Sequence, residues 1–255
     1  MNRLDLAPSA ALVLDAVPRF APPCDDALRQ QHESFFTPAH YESGYSYPLV
    51  VWLHGSGNCE RQLASILPGI SMRNFVGASV RASLPCYDPS SPVPSSPASI
   101  GGYAWRQSPQ QIEVASECVD QLIASARRRY RIDPDRIFLA GQGGGGTMAL
   151  RLALAQPRRF AGAISIGGGL PAGNNPFREL HAIRQLPLFL AGGAASSRYQ
   201  SERVCEDLRL LHAAGVSVTL RHYPSGDEVH PQCLHDVNAW MMECLASRQG
   251  ASIVR

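Results

Sequence analysis

The feature that most constrains the fold is a run of glycines between two buried segments. Residues 141–146 read GQGGGG, and the strand-like sequence RIFLA at 136–140 comes directly before them. Residues 147–156 are apolar on nearly every side, which predicts a buried helix that ends before Pro157. Glycine permits backbone conformations and close backbone approaches that other residues do not. The sequence therefore predicts a tight strand-to-helix turn at the centre of the molecule.

Apolar runs of strand length alternate with helical segments from residue 47 onward. Strands are predicted at 47–53, 75–82, 136–140, 161–166, 186–191 and 217–222, and helices at 61–70, 109–130, 147–156, 198–214 and 231–246. This order is typical of an α/β fold with a mainly parallel central sheet and helices on both faces. We expect one such domain over 47–255.

Two segments carry little periodicity. Residues 1–46 predict an N-terminal strand at 12–17 and a Pro-rich, polar, irregular extension over 18–46, which together pack on the main domain. Residues 83–100 contain five Pro and six Ser and predict a loop.

Charge and composition exclude several classes of function. The net charge is +2, which gives no strong field for nucleic acid. All 23 basic residues are Arg, so a P-loop lysine and Schiff-base chemistry are both excluded. The basic cluster at 127–131 could contact nucleic acid, but cations also favour the end of a helix, and we prefer that interpretation.

The cysteines and the hydropathy indicate the compartment. Seven Cys are scattered with no C-x-x-C pair, which favours reduced thiols in a cytoplasmic protein. No stretch approaches the roughly 18 apolar residues of a membrane span, and residues 1–11 lack a signal-peptide core.

Three interpretations of the glycine turn compete. It fits the dinucleotide fingerprint G-x-G-x-x-G, but residues 155–178 contain no Asp or Glu for the ribose, and the turn lies mid-chain. A second interpretation is a nucleophile elbow, G-x-S-x-G, with Gly143 at the serine position. A third is a glycine turn with no catalytic history, which leaves the remote motifs below unexplained.

Four stretches support the elbow. They are VVWLHGSG at 50–57, RIFLAG at 136–141, GGTMAL at 145–150 and YPSGDEV at 223–229. In these motifs and their order the chain resembles the phospholipase/carboxylesterase (acyl-protein-thioesterase-like) family of α/β-hydrolases, from Pro48 to the C-terminus. The resemblance implies an α/β-hydrolase fold and a Ser-His-Asp triad.

Carried over position by position, that resemblance implies a degenerate triad. The nucleophile aligns with Gly143, the His with Asp227, and the Asp with Ser196 or, one residue earlier, Ala195. Gly143 has no atom that could attack a carbonyl, and Asp227 is a poor substitute for an imidazole base.

The resemblance also implies that an oxyanion hole remains, since it is made of backbone N–H groups, here those of Ser56 and Gly144. The predicted ligand pocket comprises His54, Gly55, Ser56, Gln142, Gly143, Gly144 and Trp105. We expect a small acyl or anionic ligand and no cofactor.

Other candidate residues have simpler explanations. Cys59 and His54 could form a relocated nucleophile and base, but a buried thiol and a family loop histidine are the preferred interpretation. His230 is expected to cap the helix that follows it or to face solvent, and His222 to pack in its strand. A loose cluster of His230, His235, Asp227 and Glu228 lacks metal-ligand spacing, so no metal site is expected.

Three hypotheses for function follow. The chain is a pseudo-hydrolase that binds a small ligand, an active ester or thioester hydrolase with a relocated nucleophile, or a non-catalytic interaction or structural protein. The first is preferred because it explains the absent side chain at Gly143.

Overall fold

The computed structural model describes residues 32–88, 90, 99–173 and 177–253, so the predicted strand at 12–17 lies outside the described residues. Its main sheet contains seven described strands: β1 (Glu33–Phe36), β2 (Tyr47–Leu53), β3 (Val76–Val80), β6 (Ile132–Gln142), β7 (Gly162–Ile166), β8 (Leu188–Gly193) and β9 (Val218–Tyr223). The order across the sheet is β1-β3-β2-β6-β7-β8-β9. Only β1 is antiparallel to its neighbour among these described strands, which confirms the predicted mainly parallel sheet.

Helices cover both faces of this sheet. They are α1 (Leu63–Ile70), α2 (Pro109–Arg129), α3 (Gly144–Ala155), α4 (Leu180–Ile183), α5 (Ser201–Ala214) and α6 (Pro231–Ile253). On one face, Leu122 of α2 and Met148 of α3 share a core with Val51 of β2. On the other face, Trp240 of α6 shares a separate core with Trp52 of β2. Successive residues of a strand point to opposite faces, so the wholly buried β2 supplies both cores.

The structure corrects two predictions of irregular chain. The segment expected to be irregular over 18–46 contains β1, which pairs with β3 through Glu33 opposite Val80. The loop expected over 83–100 contains β4 (Leu84–Tyr87), which pairs with β5 (Ile100–Ala104) in a two-stranded antiparallel sheet. Both are short and only partly buried, so they lack the apolar alternation that identifies a strand in sequence.

Helix α3 also begins earlier than predicted, at Gly144 instead of Thr147. Its first three residues are therefore glycines, and glycine is a weak helix former, which hid the start from sequence analysis. The basic cluster lies where we expected, since α2 ends at Arg129.

Two further findings concern the whole described chain. No described helix combines the length and the apolar character that crossing a bilayer requires. Among the described residues, Cys86, Cys118, Cys205, Cys233 and Cys244 are free thiols.

Candidate functional site

The turn between β6 and α3 has the sharp geometry of an elbow. Gly143 has φ 52° and ψ −120°, a conformation that side chains rarely adopt. Its N–H donates to the Ile166 carbonyl at 2.8 Å, and its carbonyl accepts from the Thr147 N–H at 3.0 Å. The turn is therefore fixed at both ends, with one residue held outward between a buried strand and a buried helix.

Close backbone contacts leave no room for a side chain at Gly141 or Gly145, which flank Gly143. A Cβ on Gly141 would lie 2.5 Å from the Gly145 carbonyl carbon, and one on Gly145 would lie 2.3 Å from the Leu53 carbonyl oxygen. A Cβ on Gly143 would meet nothing within 4 Å. The space in which a nucleophile would stand is thus open, although the residue there carries no side chain.

The two residues assigned to the oxyanion hole lie side by side. A Cβ on Gly144 would lie 3.2 Å from Ser56 Oγ and 3.5 Å from the Trp105 carbonyl oxygen. Within the described part of the chain, neither the Ser56 N–H nor the Gly144 N–H donates a hydrogen bond. Gly144 also begins α3, where unpaired N–H groups and the helix dipole favour negative charge. These groups can hold a carbonyl, carboxylate or phosphate oxygen.

His54 supports this loop and is not available as a base. The buried ring donates from Nδ1 to the Gly55 carbonyl at 2.9 Å, because Nε2 accepts from the Ala82 N–H at 3.0 Å. Burial lowers the pKa of His54 to about 4, so the ring is neutral at physiological pH. It packs against the buried Trp105 ring, with centroids 5.5 Å apart.

The structure brings together two of the three positions that the resemblance assigns to a triad. Ser196 Oγ donates to Asp227 Oδ1 at 2.6 Å, and Ser197 Oγ donates to Oδ2 at 2.6 Å. The N–H groups of Ser197 and Arg198 donate to Oδ1 at 3.1 and 3.2 Å. Of the two aligned positions, Ser196 is buried and bonded to Asp227, whereas Ala195 is exposed.

These contacts set the charge of Asp227. Partial burial favours the neutral acid, but the hydrogen bonds from Ser196 and Ser197 outweigh it, so the pKa of Asp227 lies below its ordinary value. At neutral pH the group is a carboxylate that accepts four hydrogen bonds. It joins the loop after β8 to the turn after β9.

Gln142, predicted to line the pocket, has its side chain occupied by the protein. Its Oε1 accepts from Gln62 Nε2 at 2.7 Å, and its Nε2 donates to the Asp227 carbonyl at 3.2 Å. Gln62 Oε1 in turn accepts from Trp52 Nε1 and from the Gly55 N–H, each at 3.0 Å. Sequence analysis missed Gln62, because no motif marks a glutamine whose partners lie on other segments.

The remaining candidate residues have structural roles or none that the described contacts show. His230 Nδ1 accepts from the Gln232 N–H at the start of α6, as expected for a capping residue. His222 is exposed, so the prediction that it packs in its strand was wrong; β9 is an edge strand. The described residues contain no group of His, Cys, Asp and Glu side chains able to hold a metal ion.

A cleft opens beside the elbow, between the carboxyl ends of β7, β8 and β9. None of the seven residues predicted to form the ligand pocket lines this cleft. Its walls include Ile166, Ala191, Tyr223, Asp227, His230 and Cys233. Ligands of open parallel sheets bind at this edge.

The sheet order and the elbow define an α/β-hydrolase. The profile of the phospholipase/carboxylesterase family matches residues 101–245, and the chain belongs to that family.

Solved structures share the fold at low sequence identity. Acyl-protein thioesterase 2 of Zea mays is 19% identical, with a TM-score of 0.64, over 85% of this chain and 100% of that one. A carboxylesterase of Mesorhizobium loti is 20% identical, with a TM-score of 0.63, over 78% and 90% of the two chains. The Nocardia uniformis subsp. tsuyamanensis protein named "Putative esterase NocK" is 37% identical over 84 residues, which are 33% of this chain but only 22% of that protein.

Proposed function

We infer that this chain is a pseudo-hydrolase, which binds a small acyl or anionic ligand at the degenerate elbow without cleaving it. The inference rests on Gly143, which combines the backbone of an elbow with open space and no nucleophilic atom. The unpaired N–H groups of Ser56 and Gly144 support binding of an oxygen in that space.

The other two triad positions support the same conclusion. Asp227 is ionised and accepts hydrogen bonds from two hydroxyls and two backbone N–H groups. A base needs a free lone pair directed at the proton it removes, and a nucleophile beside it. Asp227 therefore holds two loops together where the family has a catalytic histidine.

The relocated-nucleophile hypothesis finds less support. Cys59 is buried, and both ring nitrogens of His54 are bonded to backbone groups, so His54 has no free nitrogen to activate a thiol. The interaction hypothesis would need a broad apolar surface. The exposed large apolar residues among those described, Tyr45, Met72, Tyr87, Leu210 and Met242, lie in five separate segments of the chain.

The experiment is hydrolysis of short p-nitrophenyl esters together with a fluorophosphonate probe. We expect a rate no more than roughly 10³–10⁴ above the water reaction, which is the acceleration that binding and an oxyanion hole provide without a triad. We also expect no covalent adduct. The Cys59→Ala variant should behave like the natural chain. An adduct mapped to a cleft residue, or activity that Cys59→Ala abolishes, would contradict the proposal.

A further inference from the structure

The segment between β5 and α2 follows one side of α3 from its beginning. The Trp105 carbonyl lies beside Gly144, the first residue of α3. Two residues later, Gln107 Oε1 accepts from Arg151 Nε at 2.5 Å. Gly144 and Arg151 are seven residues apart, about two helical turns, and so lie on the same side of α3.

Arg151 is a buried cation without a carboxylate partner. Only 7% of it is exposed, and its hydrogen bonds go to Gln107 Oε1 and, from Nη2, to the Ala172 carbonyl at 2.7 Å. Among the described residues no Asp or Glu forms an ion pair with it. Burial lowers the pKa of Arg151, as expected when a guanidinium loses water without gaining a counterion.

Two more buried donors lie on the segment between β5 and α2. Trp105 Nε1 and Gln107 Nε2 have no hydrogen-bond acceptor within the part of the chain that the structure describes. Buried polar atoms are almost always paired, and an unpaired one in a native structure points to a missing water, ion or ligand. Three donor groups without an anionic acceptor are the chemistry that an anion satisfies.

We propose that the ligand held at the elbow carries a carboxylate, which Arg151 and Gln107 Nε2 bind while the N–H groups of Ser56 and Gly144 hold a carbonyl oxygen at its other end. This inference rests on the proposed function and specifies its ligand class. A guanidinium is planar and presents paired donors that match a carboxylate.

The helix sets the length of such a ligand. Seven residues of α3 separate the two ends by about 10 Å, and helical side chains lean towards the N-terminus, which shortens the gap. The matching class is a straight acyl chain of several carbons that ends in a carboxylate, as in the half-esters of dicarboxylic acids.

Calorimetric titration with the monomethyl and dimethyl esters of glutarate, adipate and suberate tests this assignment. The two esters of each acid share their carbonyl and chain and differ in the terminal charge. We expect the monomethyl ester to bind at least about tenfold more tightly, because a charge-assisted bond is roughly twice as strong as a neutral one. Affinity should also pass through a maximum along the series.

The decisive variant is Gln107→Glu, which keeps the side-chain shape and places a carboxylate beside Arg151. It should raise the melting temperature and remove the preference for the monomethyl ester. Arg151→Met should remove the same preference. The matched control is Arg158→Met, which deletes a cation whose side chain is 79% exposed and should leave the preference unchanged.

The outcomes separate the two claims. Equal affinity for monomethyl and dimethyl esters, or a preference that persists in Gln107→Glu, would overturn the carboxylate site and leave the pseudo-hydrolase proposal standing. Failure of both esters to bind would overturn ligand binding at the elbow as well. Turnover of the dimethyl ester would contradict the pseudo-hydrolase proposal alone.

Discussion

At the scale of single residues, the site is defined by Gly143, which has a strained, elbow-like backbone and open space around it but no side chain. Substitution Gly143→Ser should cost about 1–3 kcal/mol, because its φ of 52° strains any side chain although the space around it is open. Thermal and urea unfolding measure the loss. Gly44→Ser is the matched control, since Gly44 also has open space but no positive φ, and it should be nearly neutral. A more stable Gly143→Ser chain would count against an elbow at this turn.

Asp227 gives a second residue-scale prediction. Its folded pKa lies below the ordinary 3.8, so the stability it contributes is complete above that pH and is lost as the pH falls through the folded pKa. The natural chain should therefore exceed Asp227→Asn in unfolding free energy at pH 7, and the difference should shrink below about pH 4. Urea titrations of both chains at pH 7, 4 and 3 give that difference. A gap that is constant with pH would mean that ionisation of Asp227 does not hold the two loops.

At the scale of elements, His54 joins the end of β2 to the segment after β3 through its bond to Ala82. Its folded pKa of about 4 is below the ordinary 6.5, so the unfolded chain binds an extra proton between these values and stability falls as the pH falls. The loss attributable to this residue should reach on the order of 3 kcal/mol by pH 4. Comparison with His54→Gln isolates this loss of stability, because glutamine has no proton to gain at position 54 over this pH range. Parallel pH profiles for the two chains would refute a neutral, buried ring.

The start of α3 packs on the end of β2 with no space for a methyl group. In Gly145→Ala the new Cβ would lie 2.3 Å from the Leu53 carbonyl and 2.4 Å from the His54 carbonyl. Backbone cannot move aside as a flexible side chain can, so the loss should exceed that of Gly143→Ala and reach about 3 kcal/mol or more. Chemical denaturation of both variants gives the ranking. The reverse ranking would show that α3 docks less closely than this geometry requires.

Among the helices and strands, those with a clear apolar pattern were predicted from the sequence. The run at 47–53 is β2 to the residue, since a strand buried on both faces is continuously apolar. The predicted helix at 109–130 is α2 with one residue fewer. By contrast, β1, β4 and β5 are held by pairing with distant strands, and short, partly buried strands leave no such pattern.

At the scale of the whole molecule, the site is assembled by segments far apart in sequence. The motifs assigned Ser196 or Ala195 to one triad with Asp227, and Ser56 to one oxyanion hole with Gly144. The structure places Ser196 beside Asp227 and Ser56 beside Gly144. The Gln62–Gln142 bridge could not be predicted, because an amide pair has no spacing rule and depends on how α1 docks on the sheet. The same holds for Arg151, whose lack of a counterion is visible only once its neighbours are placed.

The contact between the loop after β8 and the turn after β9 has a defined donor and acceptor. The loop after β8 now supplies a hydroxyl donor, Ser196, and the turn after β9 supplies the acceptor, Asp227. The family resemblance predicts the opposite order, with a carboxylate after β8 and an imidazole after β9. A single Asp227→His substitution should therefore lose the present contact without gaining a carboxylate to orient the ring.

The combined variant Gly143→Ser, Ser196→Asp, Asp227→His should regain ester hydrolysis. Three observations favour this outcome: the elbow-like backbone at Gly143, the 2.6 Å side-chain contact between Ser196 and Asp227, and the unpaired N–H groups at Ser56 and Gly144. A positioned acid–base group typically contributes 10²–10⁴ in rate, so we expect p-nitrophenyl acetate turnover about 10² or more above the natural chain. The introduced serine should also react with a fluorophosphonate. Each single substitution should do neither, because triad members act as a unit. If the combined variant folds, shown by a cooperative melt, and remains inert, then the turn at Gly143 is not a nucleophile elbow and the alignment of all three positions is wrong.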